Sequence, residues 1–181
     1  QAKIDAFLDD YATTIDAWLT LYQITGNPQW LSDAEKLTNH VLQNFDAGEN
    51  SLFYFAQANK QLLSRTVELS DNVLPASNSI MAHNLEKLGL YTEQASFRER
   101  AQKMAMQVKE NMYGYGEGYS NWALLMLTWV YPSYEVAICG PKAEAVFNEF
   151  NAVYYPNLLY SWSEKKSDLP LLANRFTPAE T

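Results

Sequence analysis

The sequence predicts a mainly α fold of stacked helical hairpins, in the manner of solenoids and α/α toroids, with a small βαβ-like unit appended at its C-terminal end. Three observations predict it. The first is an internal repeat: Leu21-Tyr22-Gln23-Ile24-Thr25-Gly26-Asn27-Pro28-Gln29-Trp30, then Ala34, Lys36 and Leu37, recurs 67 residues later as Leu88 to Phe97, then Ala101, Lys103 and Met104. In both copies a helix ends near Thr, a short turn follows, and a new helix opens with an aromatic residue four positions before an Ala. A lone hairpin cannot bury its apolar stripe, so copies must stack. The second is an alternation of broadly apolar helices with half-polar ones. The third is a change of texture after Pro132, where strand, helix and strand patterns follow in turn.

Taken in order, helix one spans 3–25, with Ile4, Phe7, Leu8, Tyr11, Ile15, Trp18, Leu19 and Tyr22 at helical spacing. Gly26-Asn27-Pro28 ends it and opens helix two, whose stripe is Trp30, Ala34, Leu37, Val41 and Phe45. Residues 46–75 form a long mixed connection in which Ser51-Leu52-Phe53-Tyr54-Phe55 reads as a short strand or hairpin arm. Connections of this length are usually functional. Helix three spans 77–91, with Ser77 as its N-cap, and helix four spans 95–112 with one apolar face. A Tyr-Gly loop, 113–119, leads to helix five, 120–130, which is apolar almost all round and should be covered on both sides.

Helices one, three and five therefore read as inner and helices two and four as outer. In such stacks the long loops and the leading ends of the inner helices share one rim. Residues 1–131 form the hairpin array. Residues 132–181 form the appendage, with strands near 134–139 and 158–162 and a helix near 142–151. Two parallel strands make a weak sheet, and the tail has no clear period.

Composition narrows the function classes. A chain of 181 residues that is 48% apolar can bury roughly 70% of its unfolded surface. Its most apolar stretch, 122–131, is about half of what a membrane helix needs. A formal charge of −8 with dispersed basic residues argues against nucleic acid. The single cysteine, Cys139, excludes an internal disulfide or a Cys-x-x-Cys pair, and reads as a buried strand residue or, less simply, a reactive thiol. The first residues form an amphipathic helix rather than a signal peptide, so a cytoplasmic location is expected. A chain opening on Gln rather than Met reads as processed or cut from something longer.

Carboxylates near the expected rim are the first chemical candidates: Asp10 beside Asp9, Asp71 near Glu68, and Glu117. Two acids facing each other across a cleft could serve as general acid and base or nucleophile on a glycosidic bond. The simpler alternative is that Asp10 caps a helix and Asp71-Asn72 makes a turn. Tyr115 and Tyr119, with Tyr11 and Trp122, offer flat faces to a sugar ring, or else pack on the core. Asn78, between Ser77 and Ser79, brings an amide to the mouth of helix three. His83 points either to a central cavity or into the core, whereas His40 faces solvent. The two histidines are not placed to meet, and no metal-ligand spacing exists, so no metal or cofactor is expected.

Several phrases carry a resemblance. Phe7-Leu8-Asp9-Asp10-Tyr11-Ala12, Gly26-Asn27-Pro28-Gln29-Trp30-Leu31, and Leu74-Pro75-Ala76-Ser77-Asn78-Ser79 followed by Asn84-Leu85 resemble the C-terminal half of YyaL-type proteins. These are thioredoxin-domain-containing relatives of spermatogenesis-associated proteins, and the strand 135–140 and Leu169-Pro170-Leu171-Leu172 sit where that family's tail would place them. The resemblance implies a partial (α/α)6 toroid of the six-hairpin glycosidase and sugar-epimerase-like class. It also implies a thioredoxin-like N-terminal portion as a partner. The chain departs from the family at Pro75-Ala76-Ser77-Asn78-Ser79, where relatives show Pro-Ser-Gly-Asn-Ser, and it has no counterpart to the paired histidines of sugar epimerases.

Two functions follow. One is a carbohydrate-binding or carbohydrate-processing toroid fragment, with Asp10, Asp71 and Glu117 as acids and Tyr11, Asn78, His83, Tyr115, Tyr119 and Trp122 lining the site. The alternative is a non-catalytic scaffold that docks the thioredoxin-like portion and its protein clients.

Overall fold

The computed structural model describes residues 5–48, 50–58 and 64–176. Helix α1 (Leu8–Thr25) begins where the Asp10 carboxylate turns back to accept the Phe7 N–H at 2.9 Å. It ends at Gly26, whose φ of 61° lets its N–H reach the Tyr22 carbonyl. Helix α2 (Pro28–Asn44) follows at once. The Asn27 side chain accepts the Gln29 N–H, and Pro28 occupies the first turn, where its missing donor costs nothing.

The second hairpin is α3 (Ser77–Thr92) and α4 (Ala95–Met112), closed by Glu93 in the left-handed region. α1 packs on α2, α3 on α4, and α1 lies against α3, so the repeat in the sequence is a repeat of packed hairpins. A single 3-10 turn, Gly116–Tyr119, leads into α5 (Ser120–Val130), which rests on α3 and α4. The chain ends in β1 (Tyr134–Cys139), α6 (Ala143–Asn151) and β2 (Leu158–Ser163). The two strands are parallel, Tyr134 beside Leu158 through Cys139 beside Ser163.

The main core is built from Ile15, Leu19, Tyr22, Met81, Leu85, Leu88, Met104 and Trp122, all essentially without solvent exposure. A second cluster holds α6 on the sheet, with Phe147 5.4 Å from the rings of both Tyr160 and Trp162. β2 is also clasped to the ends of α1 and α3: Tyr22 bonds the Ser161 hydroxyl, Tyr91 donates to the Tyr160 carbonyl, and the Trp162 indole donates to Gln23 O.

Several expectations change. Ala76, not Ser77, occupies the N-cap of α3, because its N–H is taken by Asp71 from five residues upstream. The segment 51–55 forms no regular strand; Phe53 makes one isolated antiparallel bridge with Asp46. And α5 is not covered all round: Trp122 and Leu125 are buried, while Leu124, Leu127 and Val130 face outward. Helix one also starts later than expected: residues 5–7 are not helical, because Phe7 is extended and its N–H is taken by Asp10 as the cap of α1, while residues 3 and 4 lie outside the described residues.

Candidate functional site

The leading ends of α1, α3 and α5 all meet the long connection. Leu8 N donates to Phe55 O, the Asn78 amide holds both the N–H and C=O of Phe53, and Asp71 accepts the N–H of Asn121 in the first turn of α5. A common rim therefore exists, but the loop fills it.

This filling decides what the rim residues do. Asn78 is fully buried, and its Nδ2 also donates to Glu68 O at 3.0 Å. Trp122 is fully buried, its indole donating to Leu69 O. Neither side chain lines an open cavity; both pin the loop onto the helices. Asp71 is buried, with Oδ1 receiving the Ala76 N–H at 2.9 Å beside the Ser79 hydroxyl, and Oδ2 receiving Asn121 N–H at 2.8 Å. A carboxylate so engaged holds two helix starts in place.

The other expected residues scatter. Asp10 is exposed and occupied with its own cap. Tyr11 stacks on His40 at 5.2 Å and meets Phe45 edge-on, while the Gln57 amide lies 3.4 Å from its hydroxyl. Glu117 is exposed on the 3-10 turn. Tyr115 is half-exposed and lays its ring against Gly118, where a Cβ would come within 2.1 Å of it. Tyr119 is largely buried, its hydroxyl 3.3 Å from the Asn111 amide. Asp10, Asp71 and Glu117 thus share no hydrogen-bonded cluster among the described residues.

His83 is different. It lines a cleft of about 390 Å³ between α1, α3 and α5, with Thr13, Asp16, Ile80, Lys87 and Asn121. With Lys87 it also borders a second cleft of about 550 Å³ that runs toward Arg98, Glu135 and Tyr154. Ile80, His83, Lys87 and Leu90 follow one face of α3 at helical spacing, which makes the two clefts neighbours along a single groove.

The local chemistry of His83 is set by two contacts. Its Nε2 lies 2.8 Å from the Asn121 carbonyl, which can only accept, so Nε2 carries the proton. Burial lowers the imidazole pKa below its ordinary value, with Lys87 adding to the effect and the Asn121 carbonyl, Asp16 and Asp71 opposing it. The ring is therefore neutral near pH 7, and its Nδ1 is left as an acceptor with no partner among the described residues. Lys87 reaches Asp16 at 2.9 Å in a partly exposed pair, worth under about 1 kcal/mol but effective in fixing both side chains. Asn121 is held from behind, its Nδ2 donating to Ser79 Oγ at 2.9 Å.

Sequence reasoning found His83 but missed Asp16, Lys87, Thr13 and Asn121. A usable signal existed: His83 and Lys87 stand four apart, on one face of their helix, and Asp16 lies between Ile15 and Trp18 in the middle of another inner helix. Among the described residues no group of three or more His, Cys, Asp or Glu converges as a metal site, and no helix is long and apolar enough to cross a membrane.

No family model matches the chain. It is similar to a Caenorhabditis elegans protein named "Uncharacterized protein B0495.5", with 27% identity over 171 residues. The match covers 92% of this chain and 23% of that protein, so the chain spans about a quarter of its relative's length.

Proposed function

We propose that the chain is part of an α/α toroid of the six-hairpin class, akin to the YyaL-type proteins, and that the α1–α3–α5 face binds a carbohydrate around His83. The observation that carries this reading is the neutral His83 held at the cleft by Asn121, with its Nδ1 open as an acceptor. Beside it stand the Lys87 ammonium as donor, the Asp16 carboxylate as acceptor and the Thr13 hydroxyl as either. Sugar hydroxyls both donate and accept, so a cleft with fixed groups of both kinds suits them.

The reading is binding rather than hydrolysis. Asp16 is the one carboxylate lining the first cleft, Asp71 is consumed by backbone amides, and Asp10 by its own cap, so among the described residues no opposed acid pair faces the cleft at His83. The test is a titration with a panel of neutral mono- and disaccharides followed by the His83 ring resonances. Saturable shifts that vanish in Asp16→Asn are expected; unshifted resonances across the panel at high millimolar sugar would overturn the reading.

A second reading, docking of another protein portion such as a thioredoxin-like one with its clients, is favoured by α5. Leu124, Leu127, Val130 and Tyr131 are exposed along it. Trp129 borders a hollow of about 600 Å³ beside α4, and its indole N–H is buried with no acceptor among the described residues. If this surface is an uncovered patch, an apolar dye should bind it and be lost in Leu124→Ser/Leu127→Ser at unchanged helicity. Equal dye binding by both forms would remove this support.

A further inference from the structure

The two-stranded sheet has one guarded edge and one whose backbone groups are unbonded among the described residues. Tyr134 N–H donates to Asn157 O at one end of the ladder and Gly140 N–H to Ser163 O at the other. With the parallel register between them, the even-numbered residues of β1 point their N–H and C=O groups at β2. Glu135, Ala137 and Cys139 therefore point theirs away from it.

On β2 the outward groups of Tyr160 are occupied and the Trp162 carbonyl is covered. The Gln23 side chain faces Tyr160 N at 3.4 Å, Tyr91 donates to Tyr160 O, and the Trp162 carbonyl abuts Gly26 at the end of α1. On β1, among the described residues, no backbone or side-chain group bonds the outward amides and carbonyls of Glu135, Ala137 and Cys139. Of the usual devices that blunt an open edge, residues 134–139 carry a single charge, Glu135; they contain no Lys, Pro or Gly and follow an unbroken register.

We propose that β1 pairs with β1 of a second copy of this chain, antiparallel about a two-fold axis at Ala137, making a continuous four-stranded sheet. The register is self-complementary. Glu135 lies opposite the second copy's residue 139, Ala137 opposite its own equivalent, and Cys139 opposite the second copy's residue 135. Every outward N–H and C=O of these three residues then finds a partner. The same register sets each Glu135 carboxylate against a neutral thiol rather than against another carboxylate, so no like-charge pair forms across the strands.

Three measurements test the pairing. Sedimentation equilibrium of the whole chain should give twice the monomer mass at micromolar concentration. Ala137→Pro should give the monomer mass, because proline removes an outward donor and leaves the ladder to β2 untouched. A monomeric wild type up to hundreds of micromolar overturns the proposal, as does a dimer that survives Ala137→Pro in a folded protein.

The third measurement does not depend on the proline variant folding. Under mild oxidation Glu135→Cys should form a disulfide-linked dimer through Cys139 of the second copy. Directly opposed residues sit about 5.5 Å apart between Cα atoms, within disulfide range, whereas positions 135 and 139 of one strand stand about 13 Å apart. Failure of Glu135→Cys to crosslink overturns the antiparallel register. None of these outcomes bears on the groove at His83, whose sugar titration is read separately.

Discussion

Asp71 accepts the backbone N–H of Asn121 at 2.8 Å, while its other carboxylate oxygen accepts the N–H of Ala76. One side chain in the long connection thereby caps the starts of two helices that lie far apart in sequence. The second cap also aims Asn121 at His83.

Asp71→Ala should therefore cost more than an ordinary cap. Two backbone amides and the Ser79 hydroxyl lose a charged acceptor in a buried place, which amounts to about 3 kcal/mol. Urea unfolding measures it, and a loss below about 1 kcal/mol would show that water replaces the carboxylate without penalty.

His83 gives the fold a pH dependence of known sign. Its folded pKa lies below the ordinary value of 6.5, so the unfolded chain binds a proton more readily. The contribution is fully present above pH 6.5 and declines as the pH falls from there toward the folded pKa. The unfolding free energy of the wild type should thus drop between about pH 7.5 and about pH 5 more steeply than that of His83→Gln. Parallel profiles would contradict the buried, neutral ring.

Asn78→Ala should leave the Phe53 N–H, the Phe53 carbonyl and the Glu68 carbonyl without their partner. A loss of about 2 to 4 kcal/mol is expected, with faster hydrogen exchange at Phe53 itself. A fully buried amide with three bonds cannot also serve a ligand, so sugar binding should survive in whatever fraction stays folded.

Gly26→Ala adds a methyl group in two forbidden ways. It puts a side chain at φ 61°, and it brings Cβ to 2.8 Å from both the ring and the carbonyl oxygen of Trp162. The left-handed conformation alone costs roughly 1 to 2 kcal/mol. The clash with a backbone carbonyl adds to that, and a drop in melting temperature of several degrees is expected by calorimetry.

The hairpins were legible because their signals are local. Gly26-Asn27-Pro28 stops one helix and starts the next within three residues, and the apolar spacing of helices two to five matches α2 to α5 closely, whereas α1 starts several residues after its expected beginning. The cap of α3 was misplaced by one residue because its acceptor, Asp71, comes from outside the local pattern. The site was read less well. Helical periodicity separates apolar from polar faces, but Asn78 and Trp122 lie on faces where a buried pin and a cavity-lining group have the same spacing. Lys87 and Asp16 escaped notice because 71 residues separate them, and their pairing exists only once the hairpins have packed.

The clasp at Tyr22 and Ser161 has a kinetic consequence. Its partners are 139 residues apart, so the contact carries a large loop-closure entropy unless the intervening hairpins and strands have already formed. The α1–α2 and α3–α4 pairs bring together neighbours in sequence and can assemble early. The βαβ unit is expected to seal onto their ends last, and in stopped-flow kinetics mutations at Tyr22, Tyr91 or Trp162 should raise the unfolding rate more than they lower the refolding rate.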